Sequence, residues 1–412
     1  MSLITFLDCR RPCRILILVG LFQLSGCVTQ TVRSVDMAPP QTLAVPPSEE
    51  LLLDVGITVF DPNVPESFDD QNELNIQPEI RRAESNYMAY VAKNLLQSTG
   101  NWGAVRVVPR RSHAVDITVS ATILHSDGER LNLHAVASDA RGQIWFDKVY
   151  ETLASKYAYD LSMPRDIDPY QATYNQIAND LLRFRIALTE ADIRAIRTTA
   201  EMRFARDFAT DAFEEYVYEK QPGRYQIRRL PAPDDPMLSR VRMIREREYL
   251  FIDTLDEYFS SFANEMFTPY QNWRRATYSE AIAYREERNK ARARLLAGTA
   301  GIVAGVAAQT SDNNVTQYGG TMSIIGGAMM IKSGIAKRAN AQLHTEVLRE
   351  LGTSAEAEIM PHTIELENET IALQGTVDEQ YEELRRILRK IYREEMGVSD
   401  PQANGKSAID AG

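Results

Sequence analysis

The stretch that most limits what this chain can fold into runs from residue 50 to 155, where short apolar runs alternate with a single helical repeat. Leu51 to Phe60 (LLLDVGITVF) is dense in Leu, Val and Ile and reads as a buried strand. Residues 79–98 then place Ile80, Tyr87, Tyr90, Val91 and Leu95 at helical spacing, with Gly100 as the stop. Ala104 to Val108 is a second strand, closed by Pro109. Asp116 to Leu124 and Arg130 to Ala137 are two more, joined through His125-Ser126-Asp127-Gly128, whose Asp-Gly pair supplies the positive-φ turn a hairpin needs. A second turn, Asp139 to Gly142, leads into Gln143 to Tyr150. The order is β-α-β-β-β-β, a small α/β unit in which meander strands pack one helix.

Three segments of this unit carry a resemblance: NLLQSTGNWGAVRVVP (94–109), AVDITVSATI (114–123) and SDARGQIW (138–145). Together they resemble the outline of a family of periplasmic lipoprotein domains with an anticodon-binding-like α/β fold. That family includes the TolB amino-terminal domain, the curli-secretion lipoprotein, the Pel exopolysaccharide lipoprotein and the penicillin-binding-protein activator lipoproteins. The resemblance covers about 100 of the 412 residues. The acidic excursion from Pro62 to Pro78 departs from the outline, and the rest of the chain has no counterpart in it. The resemblance implies a domain that binds proteins or assembles rings and is not catalytic.

The second half is largely helical, which makes the whole chain α+β. Residues 169–219 are apolar at three- and four-residue steps. Gln221-Pro222-Gly223 reads as a break, and helices resume over Leu238 to Met266 and Pro269 to Gln309. The aromatic residues Tyr249, Phe251, Tyr258, Phe259, Phe262, Phe267 and Tyr270 read as helix packing rather than a ligand box. Leu295 to Ala308 is apolar, with Ala297, Gly301 and Gly305 at four-residue steps, and Met322 to Ala336 mirrors it, with Ser323 and Gly327 four apart and Gly320 just before. Glycine costs a helix about 1 kcal/mol relative to alanine, so this density needs a return; close helix–helix approach supplies it. Segment 295–336 resembles the glycine-zipper hairpins of some outer-membrane lipoproteins. Each arm is shorter than the ~20 residues a span needs, and Lys332 interrupts the second. Two readings stay open: a hairpin packed within the protein or between subunits, and insertion into the bilayer. Thr363 to Leu366 and Thr370 to Leu373 form a β-hairpin. Asp378 to Glu394 is an amphipathic helix with Tyr381, Leu384, Ile387, Leu388 and Ile391 on one face and a solvated charged face, and residues 397–412 read as a disordered tail.

The amino terminus sets the address. Arg10, Arg11 and Arg14 precede an apolar run from Ile15 to Leu24, about 15 Å of helix and half a hydrocarbon core. That is a signal peptide, residues 1–26, rather than a span. Leu24-Ser25-Gly26-Cys27 resembles the bacterial lipobox, which implies cleavage before Cys27 and a lipid-bearing cysteine. Val28 follows instead of Asp, which by the lipoprotein sorting pattern implies the outer membrane, facing the periplasm. Cys9 and Cys13 leave with the signal, so no disulfide framework remains. Residues 27–49 carry Pro39, Pro40, Pro46 and Pro47 and read as an extended tether of up to about 70 Å. The units are then 50–155 (α/β), 156–352 (helical) and 353–396 (hairpin and helix).

Cleavage removes three of 46 basic and one of 57 acidic residues, leaving a net charge of −13. With no clustered Lys/Arg patch, nucleic acid is excluded as a partner class. His125, Asp127, Glu129 and His134 lie around one hairpin but read as a polar turn, and no metal, cofactor or catalytic set is expected. Asp253 and Asp256 read as ordinary charges on a helix. The sequence points to an outer-membrane lipoprotein, held to the membrane by its N-terminal lipid and expected as a homo-oligomer or with envelope protein partners, with a structural role in an envelope, secretion or polysaccharide-export complex. The other reading is a periplasm-facing module regulating an envelope enzyme such as a peptidoglycan synthase.

Overall fold

A computed structural model describes residues 30–34, 39–74, 76–109, 114–155, 157–160, 167–232, 234–308, 347, 349–350, 352–353, 362–366, 369–373 and 376–395. The signal peptide, Leu24 to Cys27, Gly320, Ser323, Gly327 and the tail after 397 lie outside the described residues.

The protein is α+β. A six-stranded sheet has the order β1-β6-β5-β4-β2-β3, built from β1 (Gln30–Ser34), β2 (Val55–Thr58), β3 (Val105–Val108), β4 (Ile117–Ser126), β5 (Arg130–Asp139) and β6 (Ile144–Leu153). Strands β4, β5 and β6 form the expected antiparallel meander, while β2 pairs in parallel with β3 and β4. A short helix, α1 (Phe68–Glu73), occupies the acidic excursion. Helix α2 (Pro78–Ser98) starts with proline in its first turn, where the missing N–H costs nothing, and stops before Gly100 at φ 65°. Its buried side chains Ile80, Ala83, Tyr87, Met88 and Leu96 meet Val55, Ile57, Val105 and Val107 in the core. Along β5, Leu131, Leu133, Ala135 and Ala137 are buried in strict alternation, so the register fixes which face is core.

Two expectations about the first domain change. The strand expected over Leu51 to Phe60 contracts to β2, because the Asp54 carboxylate turns aside to accept the Ala104 N–H at 2.9 Å and residues Glu49–Leu51 form a 3-10 turn. Within the tether expected over 27–49, the described residues are held at two places. Strand β1 pairs in parallel with β6, Gln30 beside Lys148 and Ser34 beside Thr152. Further on, the buried Asn101 amide takes the Leu43 N–H at 2.9 Å and donates to the Gln41 carbonyl at 3.0 Å. Extended backbone offers unpaired N–H and C=O groups, and a sheet edge and a buried amide satisfy them.

Beyond the sheet come α3 (Gln171–Ile186), α4 (Glu190–Phe208) and α5 (Thr210–Phe213). Helix α4 begins in a capping box: the Thr189 hydroxyl accepts from the Asp192 N–H, and the Asp192 carboxylate reaches back to the Thr189 N–H. The helical pattern read through residue 219 gives way to a hairpin, β7 (Val217–Gln221) and β8 (Arg224–Ile227), closed through Gly223 at φ 75°. The expected break at Pro222-Gly223 is the hairpin's turn. The two helices expected around Pro269 are one, α6 (Pro236–Ala308), 73 residues and about 110 Å long. Proline removes one intrahelical hydrogen bond. The buried anchors Met266, Tyr270, Trp273 and Arg274 on both sides of it hold the helix in place. A small hairpin, β9 (His362–Leu366) with β10 (Glu369–Leu373), precedes α7 (Val377–Glu395).

The β4–β5 turn does more than reverse the chain. Gly128, at φ 63°, presses on α6, so a Cβ there would lie 2.6 Å from the Arg274 carbonyl and 2.6 Å from the Thr277 hydroxyl. A Gly128→Ala variant therefore combines left-handed strain with a backbone clash and is expected to lose roughly 2–4 kcal/mol of stability. Urea unfolding checks this; a loss under about 0.5 kcal/mol would show that α6 yields freely at this contact.

Candidate functional site

The chemistry-bearing side chains converge where the sheet domain meets α4, α6 and α7, in three groups. In the first, Arg274 on α6 is fully buried and forms a bidentate pair with Asp168, Nη1 to Oδ1 at 3.2 Å and Nη2 to Oδ2 at 3.0 Å. Its guanidinium lies 4.0 Å from the Tyr270 ring centroid and 5.3 Å from that of Tyr170. Asp168 also accepts the Tyr170 N–H at 2.9 Å and the Tyr87 hydroxyl at 3.4 Å. Beside this pair, the buried Glu84 carboxylate receives the Tyr270 hydroxyl at 2.6 Å, the Ser126 hydroxyl at 2.7 Å and Arg81 Nε at 3.1 Å. Two cations and two anions share one buried volume. Burial pushes the Tyr170, Tyr174 and Tyr270 hydroxyls well above their ordinary range, so they stay protonated.

The second group fixes α7. Arg385, expected on a solvated face, is buried between Glu248 and Asp207; it bonds Asp207 closely and lies 3.8 Å from Glu248. Tyr381 donates to Glu248 at 2.6 Å. Burial raises the Glu248 carboxyl against the opposing pull of Arg385.

The third group lines a cavity of about 280 Å³ between Asp54, Asp116, Arg197, Glu201, Arg245 and Tyr249. Asp116 sits where β4 starts, and its carboxylate accepts the Asp54 N–H at 2.9 Å. Burial, reinforced by the Asp54 charge, lifts the Asp116 carboxyl to about 6. Arg245 and Tyr249 both donate to the Ala114 carbonyl, and Arg197 donates to the carbonyls of Glu49 and Glu50. Glu201 is held by Arg242. These guanidinium groups are thus engaged with main chain, and the cavity works as a polar seam between domain and helices.

The remaining candidates separate. His125 bonds Asp127 at 2.7 Å and His134 bonds Asp147 at 2.6 Å, on different parts of the sheet. Asp253 and Asp256 prove to be docking residues, paired with Arg106 at 2.5 Å and Lys93 at 2.8 Å. Ala297, Gly301 and Gly305 lie on α6 at steps that share one helical face. Among the described residues no helix is long and apolar enough to cross a membrane. No family model matches the chain, and neither the curated proteins nor the solved structures give a match.

Proposed function

We propose that this chain is an outer-membrane lipoprotein, lipidated at Cys27, with a structural role in assembling an envelope, secretion or polysaccharide-export complex, acting as an oligomer. The observation that carries this reading is Leu24-Ser25-Gly26-Cys27 at the end of a short apolar run behind three arginines. The resemblance of residues 94–145 to periplasmic lipoprotein domains supports it. So does the way the charged groups of the interior join the sheet domain to α6, and α6 to α7. Helix α6 adds a long assembly element: it packs on the domain from Leu238 to Tyr278 and continues as helix for another thirty residues, about 45 Å, into the glycine-rich stretch. The alternative, a module reaching an envelope enzyme on a long leader, loses support because β1 begins at Gln30.

Metabolic labelling with palmitate tests the anchor. The expected result is label on the wild-type protein and none on Cys27→Ala; equal labelling defeats the reading. Crosslinking of intact envelopes tests assembly, with a ladder of homo-oligomers expected and monomer alone counting against it.

A further inference from the structure

The cavity between the sheet domain and helices α4 and α6 is lined by opposite charges that do not meet. On its sheet wall stand Asp54 and Asp116, each one residue before β2 and β4. Asp116 is 4% exposed; its Oδ2 accepts the Asp54 N–H, and its Oδ1 has no hydrogen-bond donor among the described residues. Asp54 accepts the Ala104 N–H through Oδ1, and its Oδ2 is left without a donor in the same way. On the helical wall stand Arg197 of α4 and Arg245 of α6. Both bond main-chain carbonyls, Arg197 through Nη1 and Arg245 through Nε and Nη2. A carbonyl is neutral, so each cation stays uncompensated, and Arg197 Nη2 and Arg245 Nη1 keep unused N–H groups among the described residues. Glu201, the third acid of the lining, is already taken by Arg242.

We propose that this cavity binds a small zwitterion, an α-amino acid or a dipeptide, with its ammonium group at Asp54 and Asp116 and its carboxylate at Arg197 and Arg245. The two walls decide the ligand class. A metal ion or a simple organic cation meets the carboxylates but shares the space with two arginines. A simple anion meets the arginines but faces two carboxylates. A ligand carrying both charges complements both walls and joins the sheet domain to both helices. The volume of about 280 Å³ is just below the ~300 Å³ at which small-molecule pockets begin, which limits the ligand to this size. The raised Asp116 carboxyl fits the same picture, because burial there outweighs the attraction of Arg245 and Arg197 and an added ammonium supplies what is missing.

Thermal melts of the full chain at neutral pH, with the common amino acids and a set of dipeptides each at about 10 mM, test the site, since a ligand that binds the folded state raises the midpoint. At least one probe is expected to do so. Calorimetric titration of that probe should then show its N-acetyl and carboxamide analogues, each lacking one charge, binding at least about tenfold more weakly. Asp116→Asn is the sharpest variant because it is expected to be the more stable protein at neutral pH, so a lost response there is not a lost fold. It should bind the zwitterion at least about tenfold more weakly yet bind the N-acetyl analogue as wild type does, because that analogue has no ammonium to lose. Arg197→Gln should do the converse, weakening the zwitterion and sparing the carboxamide. No stabilisation by any amino acid or dipeptide overturns the proposal and leaves the cavity to water. Analogues that bind as well as the zwitterion, or an unchanged affinity in Asp116→Asn, overturn it as well, since the two walls then do not read the two charges.

Discussion

Replacing Arg274 by methionine is expected to lower the unfolding free energy by roughly 3–5 kcal/mol. The cost comes less from the lost attraction than from what stays behind. Asp168 is 4% exposed, and without the guanidinium its charge keeps, among the described residues, the Tyr170 N–H and the Tyr87 hydroxyl as partners. Tyr270 loses the cation over its ring as well. Methionine fills much of the same volume, which isolates the charge from a simple cavity effect. An Arg274→Met/Asp168→Asn double variant should recover a large part of the loss, since a neutral amide in the same place tolerates burial far better than an orphaned carboxylate. A double-mutant cycle in urea measures the coupling. Limited proteolysis should show α6 cut more readily in the single variant, because Arg274 joins that helix to the domain. A single variant within about 1 kcal/mol of wild type would mean that water enters and solvates Asp168, and that the junction is wet.

That junction marks the boundary of what the sequence makes legible. Helix α2 and the meander follow from local signals: Pro78 at a first turn, apolar residues at helical spacing, and Asp-Gly and Arg-Gly turns at positive φ. The second task of those turns does not follow, because Gly128 meets Arg274 and Gly142 meets Gly223 from distant parts of the chain. The charged residues are harder still. Arg274 and Arg275 are neighbours of the same type, yet one is wholly buried against Asp168 and the other reaches the Tyr159 carbonyl. Arg385 and Arg386 repeat the pattern, one buried beside Glu248 and the other 75% exposed. Periodicity marks the apolar face of a helix, but whether an arginine at its margin turns inward depends on an acid 106 or 178 positions away. The hairpin β7–β8 was hidden for a related reason: four- and five-residue strands are too short for the period to separate them from helix. Around Pro269 the local rule predicts a break, and the burial of Met266 and Tyr270 overrides it.

The polar seam gives a prediction of the opposite sign from the junction. The Asp116 carboxyl titrates at about 6 in the folded protein against an ordinary 3.8, because burial disfavours its charge more than Arg245 and Arg197 favour it. Between those values the folded state holds the proton that the unfolded state has lost. This group's contribution to stability should therefore fall as pH rises from about 4 to about 6 and level off above, by about 3 kcal/mol, against the opposite contribution of carboxyls such as Asp127 whose shift is downward. Asp116→Asn removes the titration while keeping an oxygen that accepts the Asp54 N–H. The variant should match wild type near pH 4 and be more stable by up to about 3 kcal/mol at pH 7, where wild type carries a buried charge. Glu248 is shifted in the same direction but is present in both proteins, so the difference between their urea midpoints isolates Asp116. A variant less stable than wild type at pH 7 would mean that Arg197 and Arg245 outweigh burial in the seam. Asp116 would then be an ionic fastener like Asp168, and the electrostatic distinction between the dry junction and the cavity would fail.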